Sequence, residues 1–275
     1  RSQQTAAWIK KWAPHQLVVD GTYKKINAFA LNDPHVDIVS NHYYTNADNN
    51  HPDQVKKDLT AAAGKKVYMV GEFGLLDAQQ LNAIMQSIVH SEVNGAQAAG
   101  GLIWGFRGHR HDGGFYWHKE STGHYSYHLP GFPVDGKANQ EMEVVDLVRT
   151  AAAQMNGQEK APPLPKPDAP KLRATDSPFA INWLGAAVGR AYDVERADSA
   201  SGPWKIVGRD ISDGVNEWNP QTMDLFRDDY RSLQLGNTYY YRVIAKNESG
   251  SSSPSNVISV KHTQANQAPE VTLVE

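Results

Sequence analysis

Two hydrophobic rhythms divide the chain. In the first, short and nearly continuous apolar runs alternate with stretches of helical period. The runs fall at 16–20, 36–41, 66–71 and 101–105, each rich in Val, Ile, Leu or aromatic residues. Runs of that length without polar alternation suit strands buried on both faces of a parallel sheet. Between them, residues 2–12 set Trp8, Ile9 and Trp12 on one stripe, and Pro52 opens a helix at 52–63, where its missing N–H is harmless. Asp77 with Gln80 spells a capping box, after which Leu81, Ile84, Met85, Ile88 and Val89 recur at helical spacing. A last helix is predicted over 139–155, with Val144, Val145, Leu147 and Val148 apolar. Such alternation predicts βαβ units and an α/β domain over 1–157.

The second rhythm follows residues 158–170, whose five prolines predict a stiff, extended linker. Short strands are predicted at 171–175, 179–183, 191–196, 204–207, 239–245 and 256–261, with no helix required. Tyr239, Tyr241, Val243 and Ala245 alternate with Tyr240, Arg242 and Ile244, the period of a half-buried strand. The pattern predicts an all-β sandwich over 171–262. Residues 263–275 read as another linker and the start of a further module.

Composition excludes several classes. The 275 residues carry a formal charge of −3, which offers no basic surface for nucleic acid or an anionic membrane. No apolar run approaches the roughly 18 residues of a spanning helix. The absence of cysteine removes disulfides, thiolate metal sites and thiol catalysis. Seven Trp and twelve Tyr supply flat apolar faces with polar edges, suited to stacking on sugars. The chain opens Arg1-Ser2-Gln3-Gln4 without a Met, so a processed or excised preceding segment is expected.

Candidate chemistry gathers at the ends of the predicted strands. One ends in Asp20, a second in His42-Tyr43-Tyr44, a third in Gly71-Glu72-Phe73-Gly74, and the last carries Trp104 followed by Arg107, His109, Arg110, His111 and Asp112. Catalytic groups of β/α barrels sit at such carboxyl ends. A carboxylate held by His and Tyr, with Trp under a sugar ring, suits attack on an oxocarbenium-like centre. Asp20 reads instead as a turn or cap residue.

The order His42-x-Tyr44, Gly71-Glu72-Phe73-Gly74 and Trp104 resembles the C-terminal half of family 5 glycoside hydrolases. That resemblance covers residues 1–157 and implies about four β/α units of a (β/α)8 TIM barrel, the fold of retaining enzymes that cut β-1,4 glycans such as mannan and cellulose. It implies Glu72 as nucleophile, His42 and Tyr44 beside it, and Trp104 as sugar platform. The stretch from Ile103 to Gly114 looks closest to mannanase-like members. Arg107, His109, Asp112 and Trp117 are then expected to contact substrate from the loop after the last strand. The family's acid/base Glu comes from an Asn-Glu pair upstream of the nucleophile. Here Asn247-Glu248 lies in the predicted sandwich. Retention needs a second carboxyl group about 5–5.5 Å from the first. The expected missing partner is therefore the N-terminal half of the barrel, and no hydrolysis of unactivated glycosides by these 275 residues alone.

His109, His111, His118, His124 and His128 crowd one stretch, but Gly108, Gly113, Gly114 and Gly123 interrupt it. A helical zinc site is thus not expected, and neither metal nor cofactor is called for. In the second region, Trp183, the run Leu235-Gly236-Asn237-Thr238-Tyr239 and Ser252-Ser253-Pro254-Ser255 resemble a fibronectin type III domain. The resemblances together imply part of a secreted, modular, retaining β-glycanase. The alternatives are a non-catalytic carbohydrate-binding or scaffold protein on a degenerate barrel, and a second chain that supplies the absent strands.

Overall fold

A computed structural model describes residues 2–44, 52–111, 113–116, 126–132, 140–214 and 224–263, and the backbone of 119–120 and 123–124. The chain divides into two compact units: Arg1–Arg107 with Trp117–Pro162, and Gly108–Tyr116 with Pro163–Glu275.

In the first unit the elements run α1 (Ser2–Trp12), β1 (Val19–Asp20), β2 (Ile38–Tyr43), α2 (Pro52–Ala62), β3 (Val67–Gly74), α3 (Ala78–His90), β4 (Glu92–Val93), β5 (Ala96–Gln97), β6 (Gly101–Trp104), β7 (Lys119–Glu120), β8 (Gly123–His124) and α4 (Glu141–Met155). The strands β1, β2, β3 and β6 form one sheet in that order, every pair parallel. The small hairpins β4–β5 and β7–β8 are additions the sequence pattern did not announce.

Local chemistry explains the helix starts. Asp77 accepts from the Gln80 N–H at 2.8 Å while the Gln80 side chain accepts from the Asp77 N–H at 3.3 Å, so the α3 capping box forms as spelled. Leu81, Ile84, Met85 and Ile88 are buried on the stripe that follows. They join Val39, Tyr43, Val55, Leu59, Tyr68, Val70, Phe73, Val144 and Val145 in a core between the sheet and its helices.

The α1 stripe departs from expectation. Ala6 is its buried residue, whereas Trp8 and Trp12 are exposed, Trp12 by 81%. Among the described residues, both sheet edges are also apolar and carry no further strand. Leu17 and Val19 are exposed at the β1 edge, and Leu102 by 59% at the β6 edge. A parallel sheet normally hides such residues.

The second unit continues with β9 (Lys171–Leu172), β10 (Trp183–Leu184), β11 (Ala191–Ala197), β12 (Lys205–Ile211), β13 (Thr238–Asn247), β14 (Gly250–Ser251) and β15 (Ile258–Lys261). A two-stranded sheet β9–β10 faces a sheet ordered β12-β11-β13-β14, with β15 also paired to β13. All contacts are antiparallel. The core holds Trp183, Tyr192, Val194, Tyr241, Val243 and Ala245. Tyr239 accepts the Gln234 N–H at 2.8 Å, a tyrosine bonded back to upstream backbone at a strand start, as sandwich corners require. Residues 163–170 lie along this unit, where the Asn247 amide donates to the Pro165 carbonyl at 2.7 Å and Leu164 is buried.

Candidate active site

The site is built by one extra residue in β3. Asn41 pairs with Val70 and His42 with Glu72, so Gly71 has no opposite number on β2. On the other side Val70 pairs with Gly101 and Phe73 with Ile103, so Gly71 and Glu72 together span the single Leu102 of β6. Side chains alternate between sheet faces with period two, so one inserted residue moves everything after it to the other face. Without the insertion Glu72 would stand opposite Tyr43, whose hydroxyl reaches Asp58 on α2 and therefore faces the helices. With it, Glu72 stands opposite His42 on the other face. Phe73 returns to the helix side and packs in the core.

Gly71 is required by this arrangement. A Cβ there would meet Ser40 Oγ at 2.8 Å and the His42 ring at 3.0 and 3.1 Å. No left-handed backbone angle is involved, so the constraint is purely one of space.

Glu72 Oε2 accepts a short hydrogen bond from the Tyr44 hydroxyl and lies 3.5 Å from His42 Nδ1. The Glu72 side chain keeps 34% of its surface exposed, against 18% for His42, so the carboxylate is held yet reachable. Tyr23, on the loop after β1, sets its ring 6.1 Å from that of His42 and 6.3 Å edge-on to that of Tyr44. Lys24 Nζ lies 5.5 Å from the centre of the Tyr23 ring. Tyr23 was not foreseen as a site residue. Its signal was slight, an aromatic three residues beyond a strand end. Asp20 accepts from Thr22 and, at 3.1 Å, from Asn27, which closes the turn after β1 as its sequence context suggested.

Trp104 ends β6 opposite Gly74, two positions beyond Glu72 on the neighbouring strand. The Arg107 guanidinium lies 5.4 Å over its ring, a cation–π contact that occupies one face of the indole. The Arg107 backbone N–H donates to the Tyr127 carbonyl at 2.8 Å, which holds the turn in place.

The expected substrate loop separates into different fates. Arg107 stays in the first unit beside Trp104. His109 belongs to the second unit, where its ring stacks on Phe115 at 4.1 Å and Nε2 lies 3.5 Å from the buried Asp213 carboxylate. Its described partners are sandwich groups, because residues 108–116 fold against β10, with Gly113 tight on Asn182 and Trp183. Burial raises the Asp213 carboxyl above the usual carboxylate range, opposed by His109 and Tyr192. Asp112 and Trp117 lie outside the described residues. His128 is buried and lies 3.1 Å from Glu141 at the start of α4, so it and His109 have separate carboxylate partners.

A cavity of about 720 Å³ opens along the β6 edge between Ile103, Trp104, Ile88, Val148, Ala151 and Met155. Its lining is mostly apolar and includes Trp104 and Arg107, but not Glu72, His42 or Tyr44. The titratable cluster marks the candidate site. An ionised carboxylate that is hydrogen-bonded and open to approach can act as a nucleophile or base at an electrophilic carbon.

No family model matches the chain, and no curated protein matches it either. Solved structures similar to it include the endo-β-1,4-mannanase from Thermotoga petrophila, at 12% identity over 94% of this chain and 59% of that one, with a TM-score of 0.35. A β-1,2-glucanase from Parabacteroides distasonis is similar at 17% identity over 40% of this chain and 14% of its own, with a TM-score of 0.29. An Fn3-like protein from Clostridium thermocellum is similar at 18% identity over 37% of this chain and 95% of its own, with a TM-score of 0.25. The present chain thus spans less than two thirds of either glycanase. At these scores the likeness identifies no family, and the site's chemistry has to come from its own residues.

Proposed function

We propose that the first unit is part of a secreted retaining glycoside hydrolase acting on a β-linked polysaccharide of the mannan or cellulose type, with Glu72 as its nucleophile. The single observation that carries this is the Tyr44–Glu72–His42 cluster at the carboxyl ends of two parallel strands, formed only because β3 carries an extra residue. A Glu72 oxygen would attack the anomeric carbon as the glycosidic C–O bond breaks, and water would later release the glycosyl-enzyme. Tyr44 and His42 hold the carboxylate and aim it. Trp104, backed by Arg107, supports the sugar ring.

The leaving oxygen of an ordinary glycoside needs a proton from a second carboxyl group. The described hydrogen bonds and ion pairs of Glu72 run to Tyr44 and His42. We assign the acid to further β/α strands that cover the open β1 and β6 edges in the working enzyme and complete a barrel. The apolar exposure of Leu17, Val19 and Leu102, and the groove between β6 and α4, support that covering.

The test needs no acid. A 2-deoxy-2-fluoroglycosyl fluoride loses fluoride when a carboxylate attacks its anomeric carbon: one C–O bond forms, one C–F bond breaks and no proton moves. Intact mass should show a single adduct on the 275-residue chain, peptide mapping should place it on Glu72, and Glu72→Gln should abolish it. Adducts spread over other carboxylates would reject the assignment. Glycan binding without any adduct would favour the non-catalytic binding protein.

A further inference from the structure

We propose that Asp58 and Asn41 form a positioning relay that holds His42 at the β3 irregularity and so keeps its ring beside Glu72. Neither residue touches Glu72, and both lie on the helix side of the sheet, behind the site.

The relay can be followed atom by atom. Asp58 sits on α2 and is buried, a costly place for a carboxylate unless its oxygens are satisfied. Its Oδ2 accepts from the Asn41 amide at 2.7 Å and from the Tyr43 hydroxyl at 2.5 Å, and its Oδ1 accepts from Gln54 at 3.0 Å. The Tyr43 and Tyr68 hydroxyls are in turn 2.5 Å apart. Asn41 spends its NH2 on Asp58, so its carbonyl oxygen must point the other way. It accepts the His42 backbone N–H at 2.8 Å.

That last contact falls at the break in register. A ladder interrupted by an extra residue leaves backbone groups without their regular partners. The break lies between Asn41 and His42, and the Asn41 side chain satisfies the N–H at that step. The carboxylate on α2 therefore fixes which way the Asn41 amide points. The amide fixes the His42 backbone, and the backbone aims the ring across β3 at Glu72. The network is asymmetric, since reversing the amide would set a donor against the His42 N–H.

This role rests on the reading of Glu72 as nucleophile only for its purpose; the geometry can be tested without any turnover. In the 275-residue chain, the imidazole nitrogen resonances of His42 should shift on Glu72→Gln. We expect that response to survive in Asp58→Asn, whose amide oxygen still takes Asn41 and Tyr43 while the Gln54 amide turns over. It should fall by more than half in Asp58→Ala and in Asn41→Ala, with the His128 resonances in place as a check on folding. Should Asp58→Ala fail to fold, Asn41→Ala decides, because it leaves Tyr43 and Gln54 on Asp58. Tyr68→Phe, which removes only the outermost hydroxyl, should leave the response intact. A response retained in a folded Asp58→Ala or Asn41→Ala chain, or lost in Tyr68→Phe or Asp58→Asn, overturns the relay. Labelling of Glu72 by the fluoroglycoside reads the hydrolase assignment separately, so either proposal can fail alone.

Discussion

Gly71→Ala separates the architecture of the site from the stability of the fold. The added Cβ would stand 2.8 Å from Ser40 Oγ and 3.0 and 3.1 Å from His42 Cδ2 and Nε2. Comfortable contact is about 3.5–4.0 Å, so the neighbours must yield by roughly 0.5–1 Å. Ser40 is tied to the Asp20 carbonyl at 2.9 Å, which leaves the His42 ring to take up much of the movement. Overpacking of this kind costs about 1–3 kcal/mol. The loss of glycine freedom in the unfolded chain offsets about 0.4–1 kcal/mol of it. The net destabilisation is then at most about 2.6 kcal/mol, comparable with the roughly 2.7 kcal/mol that a hundredfold loss of rate represents. A shift of about 1 Å in a positioned group can cost about a hundredfold in rate. Urea unfolding should show the modest loss, while fluoroglycoside labelling of Glu72 should slow between about tenfold and a hundredfold. Gly21→Ala is the control, since a Cβ there meets nothing within 4 Å. If Gly71→Ala labels at the wild-type rate with its His42 resonances unmoved, the space beneath that ring does not govern the site.

Other substitutions probe separate links. Tyr44→Phe removes a hydrogen bond to a charged oxygen, worth about 1.5–3 kcal/mol, so labelling should slow by about tenfold or more, while wild-type rates would count against Tyr44. Trp183→Ala empties a fully buried position in the sandwich core and should cost about 3–5 kcal/mol by urea denaturation of the second unit, a loss below about 1 kcal/mol being the contrary result. Tyr239→Phe leaves the Gln234 N–H without its partner and should cost about 1 kcal/mol by the same assay. Asp33 and Asp37 both titrate below the usual carboxylate value, Asp33 chiefly through the His35 backbone N–H and Asp37 chiefly through Lys10. A depressed folded-state value means stability that is present above pH 3.8 and is lost as pH falls through the folded value. Asp37→Asn should therefore flatten part of the acid limb of the first unit's stability curve by about 0.5 kcal/mol, and an unchanged limb would reject the linkage.

The sequence by itself determined much of the element plan. Strands at 38–43, 67–74 and 101–104 and helices at 2–12, 52–62, 78–90 and 141–155 follow from apolar period, a first-turn Pro52 and the Asp77–Gln80 cap. These signals are local, so they survive without knowledge of the rest of the chain. The sandwich was legible from strand period and from the fibronectin-like resemblance that Trp183 and the run ending in Tyr239 carry. The strand-end positions of His42, Tyr44 and Glu72 were legible too, and the resemblance implied that they meet, but not how they come to meet. That depends on a one-residue slip between β3 and both its neighbours, and register is a property of strand pairs. Asp58 was invisible because a buried carboxylate on α2 looks, in sequence, like any solvated helix residue. The exposure of Trp8 and Trp12 and the placement of His109 in the second unit were equally hidden. A periodic stripe states which residues share a face, and only tertiary packing decides what, if anything, covers it.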